Sequence, residues 1–197
     1  MIRHVGMTLL VLLALGSVPA TAHEIWQGMP GVVSMVLHPF LAPEIVLVMA
    51  GLALLAGTDE RRATVLLCAL IATTGAAIGL AAQGALLAFP GPWRWPMLAA
   101  SGLGLVVASG VRIGRAGTLA ATLLAAAVVG LGVPRERPFL SGAIEAWVGV
   151  SVALAIMLAL VTMPRASMRH PFVRIAARVA GAGIAAISML GLAAAMR

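Results

Sequence analysis

Six long apolar runs, separated by short segments where proline and arginine cluster, leave this chain few folds to choose from. The runs lie at about Val32–Gly57, Ala63–Phe89, Met97–Val111, Gly117–Val133, Ser141–Met163 and Val173–Met196. The breaks between them read TDERR, PGPWRWP, RIGR, PRERP and PRASMRHP. A helical bilayer crossing takes about 20 predominantly apolar residues, and only Met97–Val111 is clearly short of that. Peptide groups in hydrocarbon must be satisfied internally, and ten-residue alternating strands are absent, so helix is the spanning state. The chain is 62% hydrophobic and 10% charged, against roughly half and a quarter in soluble domains. The sequence therefore predicts an all-α integral membrane bundle of six transmembrane helices.

The first residues are of a different kind. MIRHVGMTLLVLLALGSVPATA pairs a basic start at Arg3 with a short apolar core, then Pro19 and the small-x-small pattern Ala20-Thr21-Ala22. This predicts a cleavable signal peptide over residues 1–22 and a transmembrane domain over residues 23–197. An uncleaved first helix is the alternative. Cleavage would make His23 the mature N-terminus, joining an α-amino group to an imidazole, a pair able to chelate a divalent metal. A histidine left there by chance reads the same way.

Charge fixes an expected orientation. The formal charge of +7 comes from arginines in short loops, which points to topology signals and away from nucleic acid. With the mature N-terminus outside, Arg61, Arg62, Arg112, Arg115, Arg165, Arg169, Arg174 and Arg178 fall inside, and Arg94, Arg135, Arg137 and Arg197 outside. That asymmetry follows the positive-inside rule, and Trp93 and Trp95 sit where an interfacial aromatic belt belongs. The expectation is a multi-pass protein of the bacterial inner membrane with a periplasmic N-terminus. Glycines at Gly102, Gly104, Gly181 and Gly183 suggest close helix approach in lipid. The single cysteine, Cys68, excludes an intramolecular disulfide and reads as a buried apolar residue.

The first run carries the candidate chemistry. MVLHPFLAPEIVLVM places His38, Pro39, Pro43 and Glu44 inside an apolar helix. The prolines each delete a backbone donor and predict a kink or break. Broken backbone at membrane depth is tolerated only against protein or a wet cavity. Imidazole, carboxylate and carbonyl oxygens together suit a borderline divalent cation such as nickel, cobalt or zinc, or a proton relay. Alternatively, His38 and Glu44 satisfy each other or nearby backbone at the outer interface. Glu145, near the outer end of the fifth run, is either a charge partner across the bundle or a carboxylate complementing its own helix dipole beside Trp147. Met49 and Met35 offer soft sulfur for copper, or simply fill the core. Gln83 is the main neutral polar candidate, with Thr73, Thr74 and Ser151 weaker ones.

The motif H-P-F-x-x-x-E-x-x-x-x-M from His38 to Met49, behind a signal peptide and a His23 start, resembles the first span of the HupE/UreJ family of hydrogenase and urease accessory membrane proteins. That family's pattern is approximately H-P-x-x-G-x-D-H-x-x-x-M. His38, Pro39 and Met49 match it, Glu44 stands in the place of the Asp, Ala42 replaces the Gly and Ile45 the second His. The last run, RIAARVAGAGIAAISMLGLAAA, is similar to the family's Arg- and Gly/Ala-rich final helix. The family's His-rich segment after the fourth span is here GVPRERPFL, without histidine. The resemblance implies six spans after a signal peptide and uptake of nickel or cobalt in support of metalloenzyme maturation.

The functional expectation is a secondary permease for a divalent metal ion, with no tightly bound cofactor and with His38, Glu44, Glu145, His23 and Met49 as candidate metal-contacting residues. No G-x-x-x-x-G-K-[ST] motif is present to hydrolyse ATP. The membrane potential supplies about 2.3 kcal/mol per charge per 100 mV. The alternative is a non-transporting membrane subunit that holds a metalloenzyme or its assembly factors. Paired catalytic residues and H-E-x-x-H are lacking, so no enzyme is expected. Bis-histidine haem ligation needs a second histidine within the spans. The expected partners are the lipid bilayer and a metalloenzyme or its accessory proteins, with homo-oligomerisation left open.

Overall fold

The computed structural model describes residues 31–57, 62–86, 94–133, 140–162 and 171–194, all helical apart from short connections. The proposed signal peptide, His23, Trp93, Arg61, Arg135, Arg137, Arg165, Arg169 and Arg197 lie outside the described residues. The helices are α1 (Gly31–Leu41), α2 (Pro43–Gly57), α3 (Arg62–Leu86), α4 (Arg94–Ser109), α5 (Gly114–Gly132), α6 (Leu140–Thr162) and α7 (Pro171–Ala194). No strand occurs among the described residues.

The first apolar run is two helices, bent by 84° at Ala42. The reason is local. Ala42 closes α1 by donating its N–H to the His38 carbonyl (3.1 Å) and opens α2 by accepting from Ile45 and Val46 (3.0 and 2.9 Å). Pro43 then occupies the first position of α2, where its missing N–H is harmless, and Glu44 faces the helix dipole in the first turn. The expected kink is thus a full break.

Helix α2 is the axis of the molecule. It touches each of the other six helices, and Ile45, Val48, Met49, Leu52 and Ala53 are essentially sealed from solvent. Its sequence, PEIVLVMAGLALLAG, is apolar all round after Glu44, the pattern of a helix buried on every side.

Around it the helices pack through small residues. A methyl group built at Gly75 on α3 would lie 2.5 Å from the Leu123 carbonyl oxygen of α5. One at Gly79 would overlap the Ala127 carbonyl, and one at Gly130 the Ala76 carbonyl. Contacts at Cys68–Thr122, Gly75–Ala126, Gly79–Ala127 and Gln83–Val133 advance in the same direction along both chains, so α3 and α5 are parallel. Helices α4 and α7 are antiparallel, with Met97 against Gly191 and Gly104 against Gly181. Pro96 and Ile45 both meet Gly132, so the starts of α4 and α2 lie at the end of α5. Of the glycines singled out in the sequence, Gly104 and Gly181 make the close approach, whereas Gly102 and Gly183 have nothing within 4 Å.

This alternation carries Arg62, Arg112, Arg115, Arg174 and Arg178 to one end of the bundle and Arg94 to the other, among the described residues. Helices α3, α5, α6 and α7 are each long and apolar enough to cross a membrane, and the bent α1–α2 pair makes a fifth crossing if counted as one. The 16 residues of α4 rise only about 24 Å, short of the ~30 Å hydrocarbon core. The outward surface is apolar too: Leu66, Leu70, Leu124, Val179 and Leu190 are exposed. On a soluble protein so much exposed apolar area would be a liability.

Gly79→Ala is expected to destabilise the bundle by about 1–3 kcal/mol through forced separation of α3 and α5. Gly102→Ala is expected to stay within about 0.5 kcal/mol of the parent. Thermal unfolding in detergent separates the two outcomes.

Candidate functional site

The break at Ala42 gathers the polar residues of the first run. His38 lies in the last turn of α1 and Glu44 in the first turn of α2, both half-buried, with Pro39 fully buried between them. In a regular helix each N–H serves the carbonyl four residues back. Pro39 and Pro43 have no N–H, so the carbonyls of Met35 and Pro39 lose their regular donors. Two backbone oxygens in the same short stretch as one imidazole and one carboxylate thus lack a regular helical donor.

Helix α6 seals one flank of this region. It packs on both α1 and α2, and at Gly149 the approach to α1 is extreme. A methyl group there would lie 2.6 Å from the Met35 carbonyl oxygen and 2.6 Å from Met35 Cβ. Glycine instead turns a Cα hydrogen toward the oxygen that Pro39 has deprived of its amide, a geometry suited to a weak Cα–H···O contact. Glu145 sits one turn before Gly149 on α6, half-buried, next to the fully buried Ala146. The structure thus sets His38 and Glu44 on either side of one break, with Glu145 one turn from the contact that pins α1.

Met49 lies just over one turn beyond Glu44 on α2. It is 1% exposed and packed in the main core with Ile45, Val48 and Leu52. Among the described residues, no group of three or more His, Cys, Asp and Glu side chains converges as a metal cluster. His23 lies outside those residues, so ligand sets that include it are not represented.

Gln83 resolves into a structural part. Its side-chain amide, almost fully buried, donates to the carbonyls of Gly130 (2.9 Å), Leu131 (3.3 Å) and Val133, the otherwise orphaned acceptors at the end of α5. Val133 leaves the helix in extended conformation at that point. Trp147 also has a structural role, because its indole N–H donates to the Thr73 carbonyl and ties α6 to α3 (2.9 Å). The sequence reading missed Gly149. Its signal was a glycine one turn after Glu145 on the same helix face.

The HupE / UreJ protein family model matches residues 10–192. The chain belongs to the HupE/UreJ family. The match spans nearly the whole chain and takes in the break, both prolines and the final Gly/Ala-rich helix. This family comprises accessory membrane proteins, not enzymes, and is associated with nickel and cobalt transport for hydrogenase and urease maturation. With the apolar helices, the match makes the chain a multi-pass membrane protein. No curated protein and no solved structure matches it.

Met49→Leu, which conserves volume, is expected to cost less than about 1.5 kcal/mol, whereas Met49→Ala is expected to cost about 2–5 kcal/mol. Both are read by thermal unfolding. Full metal uptake by the Met49→Leu variant would assign Met49 to packing and remove it from the ligands.

Proposed function

We propose that the protein is a secondary permease for a divalent metal cation of the nickel or cobalt class, with His38 and Glu44 as its principal contacts. The observation that carries this reading is the 84° break in a membrane-spanning family member, with an imidazole in the turn before it, a carboxylate in the turn after it and two carbonyls whose regular helical donors would be prolines. Oxygen and imidazole nitrogen form a donor set that suits borderline divalent cations, zinc included, better than soft monovalent copper. Glu145, on the helix that packs against both α1 and α2, adds a second negative charge for a dication. The metal is cargo, and its two charges couple entry to the membrane potential at about 2.3 kcal/mol each per 100 mV.

The orientation that fits is the arginine-rich end in the cytoplasm and the break toward the outer face of a bacterial inner membrane. Residues 1–22 then act as a signal peptide, and His23 begins the mature chain. An α-amino group and imidazole there would complete a ligand set that the break alone leaves sparse.

A second reading rests on that sparseness. Without a three-residue ligand cluster among the described residues, the bundle also suits a membrane subunit that holds a metalloenzyme or its assembly factors. Neighbouring genes for a hydrogenase or urease, together with co-purification, favour this role if uptake is absent.

His38→Ala and Glu44→Ala are each expected to abolish cellular nickel or cobalt accumulation, measured by elemental analysis at matched protein levels. Wild-type accumulation in both variants eliminates the permease reading.

A further inference from the structure

Four exposed arginines from three elements, Arg112, Arg115, Arg174 and Arg178, lie at the same, arginine-rich end of the bundle. The α4–α5 connection begins at Gly110, whose left-handed backbone (φ 69°) turns the chain out of α4. Arg178 of α7 lies across this turn. Its Nε donates to the Ala108 carbonyl (2.9 Å), and its side chain covers the face where Gly110 lacks a Cβ, 3.2–3.4 Å from that position. The bond at Nε fixes the guanidinium plane and leaves the fork of its two terminal nitrogens for another acceptor. Arg112 follows two residues after Gly110, Arg115 lies in the first turn of α5, and Arg174 precedes Arg178 by one turn on α7. All four are exposed.

The helix register shapes this end into a step. Helices α4 and α7 run antiparallel, with Met97 beside Gly191 at one end and Ala108 beside Arg178 at the other. Helix α7 starts at Pro171, so its first two turns extend about 10 Å past the end of α4. On that projecting segment Phe172 and Ile175 are exposed, followed by Val179, and Val111 is exposed on the turn below. Exposed apolar side chains suited to acyl chains and exposed arginines therefore occur together around the level where the shorter helix ends. Among the described residues no acidic side chain lies at this end: Glu44 and Glu145 belong to the opposite half. Asp59 and Glu60 are outside the described residues.

We infer that this step is a binding site for the phosphate headgroup of an anionic phospholipid, with Arg178 as the fixed fork and Arg112, Arg115 and Arg174 as the surrounding charge. Charge complementarity selects the ligand. Guanidinium groups match phosphate oxygens bidentately, and a zwitterionic headgroup cancels the field that anionic lipid satisfies. General attraction of loop arginines to the inner leaflet needs neither the fixed Nε bond nor the step between α7 and the end of α4. The inference stands independently of whether metal is transported.

The test is native mass spectrometry of the full-length protein in neutral detergent, titrated with phosphatidylglycerol, cardiolipin or phosphatidylcholine. The wild type is expected to retain the anionic lipids in preference to phosphatidylcholine. The R112Q/R115Q/R174Q variant, which alters exposed side chains only, is expected to bind them on the order of a hundredfold more weakly. R178Q, if it proves too unstable to titrate, is replaced by R178K, which keeps the charge, loses the fixed fork and is expected to bind several-fold more weakly. Equal retention of phosphatidylcholine by the wild type overturns the site. So does unchanged anionic-lipid binding by the triple variant with unfolding temperature preserved.

Discussion

A peptide group released from helical hydrogen bonding inside a bilayer must be enclosed by protein, and this requirement organises the molecule. Pro39 and Pro43 release such groups in the first run, so the backbone freed there has to be packed against protein. The fold meets the requirement by making the second half of the run, α2, its innermost helix, in contact with every other one. The same packing leaves His38 and Glu44 half-buried on either side of the break. Structural necessity and candidate chemistry therefore share a cause, and the prolines are that cause.

Enclosure in lipid demands close contact, because no hydrophobic gradient presses helices together there. The chain supplies the contact through bare backbone. Gly75, Gly79 and Gly130 let α3 and α5 meet carbonyl against Cα, Gly104 and Gly181 do the same for α4 and α7, and Gly149 lets α6 reach the Met35 turn of α1. Polar side chains finish the seams at the helix ends. Gln83 caps α5, and Arg178 covers the last turn of α4. The surface left over is apolar, as the surrounding hydrocarbon requires.

Much of this was legible in the sequence. The helix ranges agree with the apolar runs to within a few residues, because the Pro- and Arg-bearing breaks both stop helices and resist burial in lipid. The broken first helix followed from Pro39 and Pro43. The small-residue seams were legible in kind but not in register: Gly102 and Gly104 look alike in the sequence, and only the helix crossing decides that Gly104 faces α7. The two roles of Gln83 and Trp147 were hidden for the same reason, since each reaches a carbonyl on a helix distant in the chain. At the candidate site, His38 and Glu44 were visible as polar intrusions, whereas the importance of Gly149 depends on a contact between segments more than a hundred residues apart.

The parallel pairing of α3 with α5 also bears on how the protein is made. A hairpin can close as soon as its second limb enters the membrane, but two helices that point the same way cannot be neighbours in the chain. Here the tightest seam waits for an entire intervening segment to be threaded across. Until then α3 resides in lipid with Gly75 and Gly79 bare and the Gln83 amide unmet, an arrangement that favours an insertion machinery able to shelter one helix while the next two emerge.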